Sequence, residues 1–131
     1  MRVTLDADPK PTPRPRARVI AVKGRRPLAS FYSPKEYKTW QTHVGKLLAG
    51  CEAPPAPLEG PLRVELVFTA ERPKTTKLPH PRPDLDNLVK AVLDVVTSDG
   101  RFWIDDAQVS ELCARKQWGE AGKIELLIGE A

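Results

Sequence analysis

The chain has 131 residues, of which 29% are charged, and a formal net charge of +4 at pH 7. This length suits one domain, residues 1–131, that can bury a hydrophobic core without disulfides or a structural metal. No apolar run approaches 20 residues and no signal peptide is recognisable, which argues against a membrane-spanning or secreted protein. Cys51 and Cys113 lack a zinc-binding spacing, so we expect free thiols and a cytoplasmic location.

The first third of the chain is dominated by prolines and basic residues. Residues 1–7 alternate in polarity and predict a short strand. Four prolines within residues 9–15 exclude a helix, so we expect a basic, proline-rich arm over residues 9–18. Residues 18–32 are typical of a β-hairpin.

A first helix is predicted from its caps and its periodicity. Ser33 can serve as N-cap and Pro34 as the first helical residue, so the helix should run from Pro34 to about Ala49 and end at Gly50. Its apolar face consists of Tyr37, Trp40, Val44, Leu47 and Leu48.

The middle of the chain predicts a strand, a loop and a second helix. Residues 62–70 alternate cleanly as a strand, and residues 71–83 form a long basic loop rich in proline. Asp84 is a suitable N-cap for a helix that should end near Ser98.

The last third predicts more extended structure. Phe102 and Trp103 should begin an extended segment, and either both fill the core or one is left for DNA or a partner. Residues 109–118 and 123–128 read as strands joined by a turn. The whole pattern predicts an α+β fold with a small sheet of about four strands, mostly antiparallel or mixed, and two main helices.

Acidic residues gather where the second helix begins. Asp84 and Asp86 could simply complement the helix macrodipole or cap its first turn, each for about 0.3–1 kcal/mol. Asp86 and Lys90 share one face of the helix at spacing i, i+4, and Asp94 lies one turn further along that face.

A second acidic pair, Asp105 and Asp106, follows the helix. If this segment returns to the helix, carboxylates converge, and each pair about 4 Å apart repels by about 4 kcal/mol unless a cation lies between them. Oxygen ligands favour Mg²⁺, with Mn²⁺ as a possible substitute. In an extended segment the two side chains point to opposite sides, and the spacing alone does not choose between them.

Basic residues cluster before this acidic region. They could form an ordinary solvated face, but a basic arm and loop beside a metal site also suit phosphodiester chemistry on nucleic acid. The candidate DNA contacts are Lys10, Arg14, Arg16, Arg18, Lys23, Arg25, Arg26, Arg72, Lys74, Lys77 and Arg82.

Two motifs in this region resemble a known family. The runs DLDNLVK (84–90) and FWIDDAQV (102–109), with the arm PKPTPRPRAR before them, are similar to the RusA family of Holliday-junction resolvases, in its phage-type branch. The resemblance implies a homodimeric, Mg²⁺-dependent endonuclease that makes paired nicks in four-way DNA junctions. It also implies that Asp84, Asp86 and Asp106 are the metal ligands, that Lys90 is the catalytic lysine, and that Asn87 supports the ligands.

Two other functions fit the residues. The same acidic site could serve a general nuclease for flaps or forks, which only a comparison of substrates would distinguish. Alternatively, the chain is a non-catalytic DNA-binding module whose aspartates cap a helix, in which case Asp86→Asn leaves its behaviour unchanged.

Overall fold

The structure, a computed structural model of the chain, describes residues 1–13 and 34–131. The hairpin predicted over 18–32 and the N-cap Ser33 lie outside the described residues. So do six of the candidate DNA contacts, namely Arg14, Arg16, Arg18, Lys23, Arg25 and Arg26.

The described elements follow one another as two helices among four strands. In chain order they are β1 (Arg2–Leu5), α1 (Pro34–Ala49), β2 (Leu62–Glu71), α2 (Leu85–Asp99), a 3₁₀ turn (Asp106–Gln108), β3 (Val109–Gly119) and β4 (Lys123–Glu130). The predicted bounds of both helices are confirmed to within one residue, because each has an apolar face and a glycine just beyond its end.

The four strands form one mixed sheet in the order β1-β4-β2-β3. Strand β2 is parallel to β3, and helix α2 connects them. Strand β4 is antiparallel to both β2 and β1. The predicted α+β fold with a four-stranded mixed sheet is therefore confirmed.

Both helices contribute to a single hydrophobic cluster with the sheet. Alternate residues of β2 are buried, and its other side chains are half-buried or exposed, so the sheet has one covered and one open face. Each fully buried Leu or Phe stabilises the fold by about 1.5–3 kcal/mol. The predicted apolar face of α1 is confirmed, with four residues buried and Leu47 partly buried.

That residues 1–131 form a single domain stays a prediction.

The C-terminal ends of the two helices are joined by Arg101. Its guanidinium donates to the carbonyl of Leu48 at 2.8 Å and, through Nε, to the carboxylate of Asp99 at 2.7 Å. Gly100 ends α2 in the left-handed conformation, with φ of 77°, and its N–H donates to the carbonyl of Val96.

In the described part of the chain, neither helix is long and apolar enough to cross a membrane.

The extended segment predicted from Phe102 through Asp106 was wrong. Trp103 makes one isolated bridge, to Leu58, and Asp106 already belongs to the 3₁₀ turn. The short polar side chains of this segment hydrogen-bond to nearby backbone groups, which favours a turn over a strand. Phe102 and Trp103 are both fully buried, so both rings fill the core and neither is left for DNA or a partner.

Candidate active site

Helix α2 presents its polar face on the side opposite the core. Its buried residues alternate with Asp86, Lys90 and Asp94, which are spaced one turn apart. The ammonium of Lys90 lies 3.4 Å from a carboxylate oxygen of Asp94. An exposed helical pair of this kind contributes only about 0.3–0.5 kcal/mol, so fold stability gives little reason for this arrangement of charges.

The N-terminus of α2 tests the interpretation of its aspartates as helix caps. Asp84 occupies the N-cap position, as predicted, and its carbonyl accepts a hydrogen bond from the N–H of Leu88. Its side chain, however, makes no capping hydrogen bond. The carboxylate of Asp86 accepts a hydrogen bond from the N–H of Asn87 at 3.0 Å, so Asp86 stabilises the first turn locally.

The 3₁₀ turn gives Asp105 and Asp106 different surroundings. The carboxylate of Asp105 caps the turn by accepting a hydrogen bond from the N–H of Ala107 at 3.0 Å. The side chain of Asp106 instead lines an open groove beside α2. Local hydrogen bonding therefore distinguishes two carboxylates that the spacing alone could not.

Asp86, Lys90 and Asp106 line the same groove, which has a volume of about 730 Å³. Asp84 is exposed at the helix terminus and is not among the lining residues. The rest of the wall is apolar and consists of Leu85, Val89, Leu93, Leu112 and Ala114. The groove is thus an apolar channel with two carboxylates and one ammonium along it.

The pKa of Asp106 reflects this setting. Burial raises it above the ordinary value, and the hydrogen bond and charge of Asp105 and the charge of Asp94 raise it further. The charge of Lys90 acts in the opposite direction but does not cancel these effects. Negative charge is therefore concentrated at Asp106, and a cation there would relieve the repulsion.

The donor atoms in the groove are two carboxylates, which suit a divalent metal. Carboxylate oxygens are the ligands that Mg²⁺ and Mn²⁺ prefer. Across residues 1–13 and 34–131, no three Asp, Glu, His or Cys side chains lie close enough together to hold an ion. Mg²⁺ commonly binds through only one or two carboxylates and keeps several waters, so the two carboxylates of the groove fit its chemistry without forming a closed cage.

Two residues of β3 hydrogen-bond to the backbone of the basic loop that leads to α2. Lys116 donates to the carbonyl of Pro83 at 2.7 Å, and the indole N–H of Trp118 donates to the carbonyl of Leu78 at 2.9 Å. Sequence reasoning missed both roles. The signal was the period of two along β3, which places Lys116 and Trp118 on the helix-bearing side of the sheet.

Several basic residues lie on the loop that leads to α2. Arg72, Lys74, Lys77 and Arg82 are all exposed on this loop, as a DNA-contacting role would require. The arm passes close by, because Thr12 donates to the carbonyl of Asn87 through its backbone N–H at 3.2 Å. Lys10, the one candidate contact in the described part of the arm, is half-buried.

Comparison with known proteins gives one family. The family model described as Endodeoxyribonuclease RusA matches residues 7–129. Curated relatives named Crossover junction endodeoxyribonuclease RusA, from Escherichia coli strain K12, Escherichia coli O6:H1 strain CFT073 and Shigella sonnei strain Ss046, are each 48% identical over 50 residues. The match covers 37% of this chain and 41% of the length of each relative. The family match includes every charged residue of the groove.

Proposed function

Because the chain belongs to the RusA family of endodeoxyribonucleases, we propose that it is a Holliday-junction resolvase. It would nick four-way DNA junctions symmetrically, in a Mg²⁺-dependent reaction, during recombination and repair in the cytoplasm. The observation that carries the proposal is the shared groove of Asp86, Lys90 and Asp106. The name of the curated relatives, crossover junction endodeoxyribonuclease, supports the choice of substrate.

The proposed site consists of three carboxylates and a lysine. Asp86 and Asp106 would hold the metal within the groove, and Asn87 would support them. Asp84 would become a further ligand only by moving towards the groove, because no three such side chains of the described residues lie close enough together here. When bound, Mg²⁺ would supply Lewis acidity and stabilise charge on the phosphate and leaving oxygens. The ammonium of Lys90 would hold a phosphate oxygen or the attacking water by a charge-assisted hydrogen bond.

The exposed basic loop and the arm would hold the DNA backbone. Each lysine or arginine that neutralises a phosphate releases counterions, which gives affinity without sequence preference. Fastening of the loop by Lys116 and Trp118 would keep its four basic side chains near the groove. Substrate and catalytic groups would then meet at the N-terminus of α2.

A homodimer would place two such sites across a two-fold symmetric junction. We propose that a second copy packs against the outer edge of β3 and the adjoining side chain of Leu112, and leaves the charged side of the groove to the DNA. Within the described residues, β3 has no strand on that edge although it is 11 residues long. Leu112 belongs to the apolar wall of the groove and is 50% exposed. Strand β3 is a long edge strand beside an exposed apolar wall, and folded proteins usually cover such a surface.

The proposal is tested with a labelled immobile four-way junction, together with matched duplex and flap substrates. Wild type and Asp86→Asn are compared with Mg²⁺ and with EDTA. We expect wild type to nick the junction symmetrically only with Mg²⁺. Asp86→Asn should lose cleavage yet bind the junction as well or better, because a negative charge beside the phosphates is removed.

Each other result has a distinct meaning. Equal cleavage of flaps would replace the resolvase by a general branch nuclease. Tight junction binding without cleavage by either protein would favour a non-catalytic binding module. Cleavage by Asp86→Asn at the wild-type rate would refute the assignment of the site.

A further inference from the structure

The side chain of Gln108 is fully hydrogen-bonded beside the groove. Its Oε1 accepts from the N–H of Ile104 at 3.0 Å and from the N–H of Asp105 at 3.2 Å. Its Nε2 donates to the carbonyl of Leu58 at 2.9 Å and to that of Gly60 at 3.2 Å. A carboxamide has two donors and two acceptor positions, so every one of them is used.

These four bonds join two segments of irregular backbone. One segment, 104–108, carries Asp106 into the groove, and the other, 58–60, precedes β2. The second segment is itself held firmly, because the N–H of Leu58 donates to the carbonyl of Phe102 at 2.8 Å. The next residue, Trp103, is fully buried and its indole N–H donates to Thr97 of α2 at 2.8 Å.

A continuous set of contacts therefore connects α2 to the turn. It passes from Thr97 through Trp103 and Leu58 to Gln108. Helix α2 carries Asp86 and Lys90, and the turn carries Asp106. The distance between the two sides of the groove is thus set in large part by where Gln108 holds the turn.

We propose that Gln108 is a positioning residue that holds Asp106 in register with Asp86 and Lys90. This inference rests on the proposed nuclease function of the same groove. Gln108 touches no reacting group in this arrangement, because its four hydrogen bonds all go to backbone atoms. Its effect on catalysis comes from geometry, and a displacement of about 1 Å at an active site can cost a factor of about 10² in rate.

Two substitutions separate the functions of the carboxamide. Gln108→Leu removes all four hydrogen bonds at similar volume. Gln108→Glu retains the acceptor for Ile104 and Asp105 but replaces the donor to Leu58 and Gly60 by an oxygen. The matched control is Gln117→Leu, since Gln117 lies on β3, the strand that follows Gln108, is exposed, and makes one side-chain hydrogen bond, to Thr69 on the open face of the sheet.

The test measures single-turnover cleavage of the four-way junction at saturating protein, junction affinity without cleavage in Ca²⁺, and amide exchange in the absence of DNA. For Gln108→Leu and Gln108→Glu we expect cleavage to fall by about tenfold to a hundredfold. Junction affinity of Gln108→Leu should stay within about threefold, because no phosphate contact is lost, whereas the added carboxylate of Gln108→Glu should lower affinity, which saturating protein compensates. Exchange at the amides of Ile104 and Asp105 should accelerate in Gln108→Leu. Gln117→Leu should match wild type in all three.

Cleavage by both Gln108 variants within twofold of wild type would overturn the inference. If Gln108→Leu loses cleavage and affinity together by unfolding, Gln108→Glu decides, and normal cleavage by that folded variant also overturns it. If wild type itself cuts no junction, the proposed function fails. The exchange rates then still decide whether Gln108 holds the turn, with unchanged rates refuting it.

Discussion

At the scale of single residues, Asp105 and Asp106 show how backbone hydrogen bonding assigns different tasks to neighbours of the same type. Asp105 accepts hydrogen bonds within its own turn and so fixes the local backbone. Asp106 is left to face the groove, next to the charges of Asp94 and Lys90. A carboxylate thus caps a turn at position 105, and the next carboxylate, at position 106, faces the candidate site.

The raised pKa of Asp106 has a consequence for stability. Because the folded state binds this proton more tightly than the unfolded state, ionised Asp106 destabilises the fold above its folded pKa. We therefore expect Asp106→Asn, measured by chemical denaturation in EDTA, to raise the free energy of unfolding at pH 7 by less than about 1 kcal/mol. The gain should disappear as the pH falls towards the ordinary aspartate value of 3.8. A loss of stability at pH 7, or a gain that persists at pH 4, would contradict this.

The residues of the site differed in how well the sequence predicted them. Asp86 and Lys90 were predicted to share a face because helical spacing determines it. The turn that presents Asp106 was not predicted, because its geometry depends on Gln108 reaching a loop some 50 residues earlier in the chain. Contacts between segments that are distant in the chain leave no periodic pattern in the sequence from which they could be predicted.

At the scale of elements, the glycines of the two helices have opposite roles. Gly100 has φ of 77°, where a Cβ costs about 1–2 kcal/mol, and no neighbour lies within 4 Å of that atom. Gly45 lies inside α1, also with open space around it. Gly100→Ala should therefore lower the free energy of unfolding by about 1–2 kcal/mol. Gly45→Ala should raise it by about 0.5–1 kcal/mol.

Urea denaturation of both variants beside wild type measures these changes. The two substitutions add the same methyl group at partly exposed positions with open space around it, one inside a helix and one just past a helix end, so each is a control for the other. Effects of the same sign would mean that backbone conformation is not the cause.

The helices and the strands of the sheet could be located from the sequence because each has an apolar period and a stop signal. The order of the strands within the sheet, however, could not be predicted from the sequence. Strand β2 lies between β3 and β4, although β3 and β4 are consecutive in the chain. The connection between them passes the end of β2, and Gly122 packs there against Asp8 so closely that a Cβ would clash with it. That packing follows from tertiary structure and is not visible in local patterns.

At the scale of the whole molecule, the basic loop should determine how binding depends on salt. Neutralising two phosphate contacts reduces the slope of log affinity against log salt by up to about 2. We expect this for the double variant Lys74→Gln, Lys77→Gln, measured by junction titration at several salt concentrations. The control Lys38→Gln, Lys46→Gln removes the same charge from exposed positions of α1 and should keep the wild-type slope. Equal slopes in all three proteins would exclude the loop as a DNA contact.

The proposed dimer also gives a prediction for the whole molecule. Leu112→Lys places a charge on the apolar wall, so it should convert a dimer into a monomer in sedimentation velocity. The matched control is Leu127→Lys, since Leu127 is 37% exposed on β4, away from that wall. A dimer that survives Leu112→Lys, or dissociates equally with Leu127→Lys, would place the interface elsewhere.

The strand order also bears on how the chain folds as it is synthesised. Of the four described strands, the central strand β2 leaves the ribosome before either of its neighbours, and β1 pairs with β4, which is the last of the four to emerge. Among these four strands, no two sheet partners are therefore both available until β3 has been translated. Such long-range pairing gives a high contact order and slow folding, so the nascent chain would expose its apolar strands for most of its synthesis. We therefore expect the sheet to form late and cooperatively, in a step that requires β4.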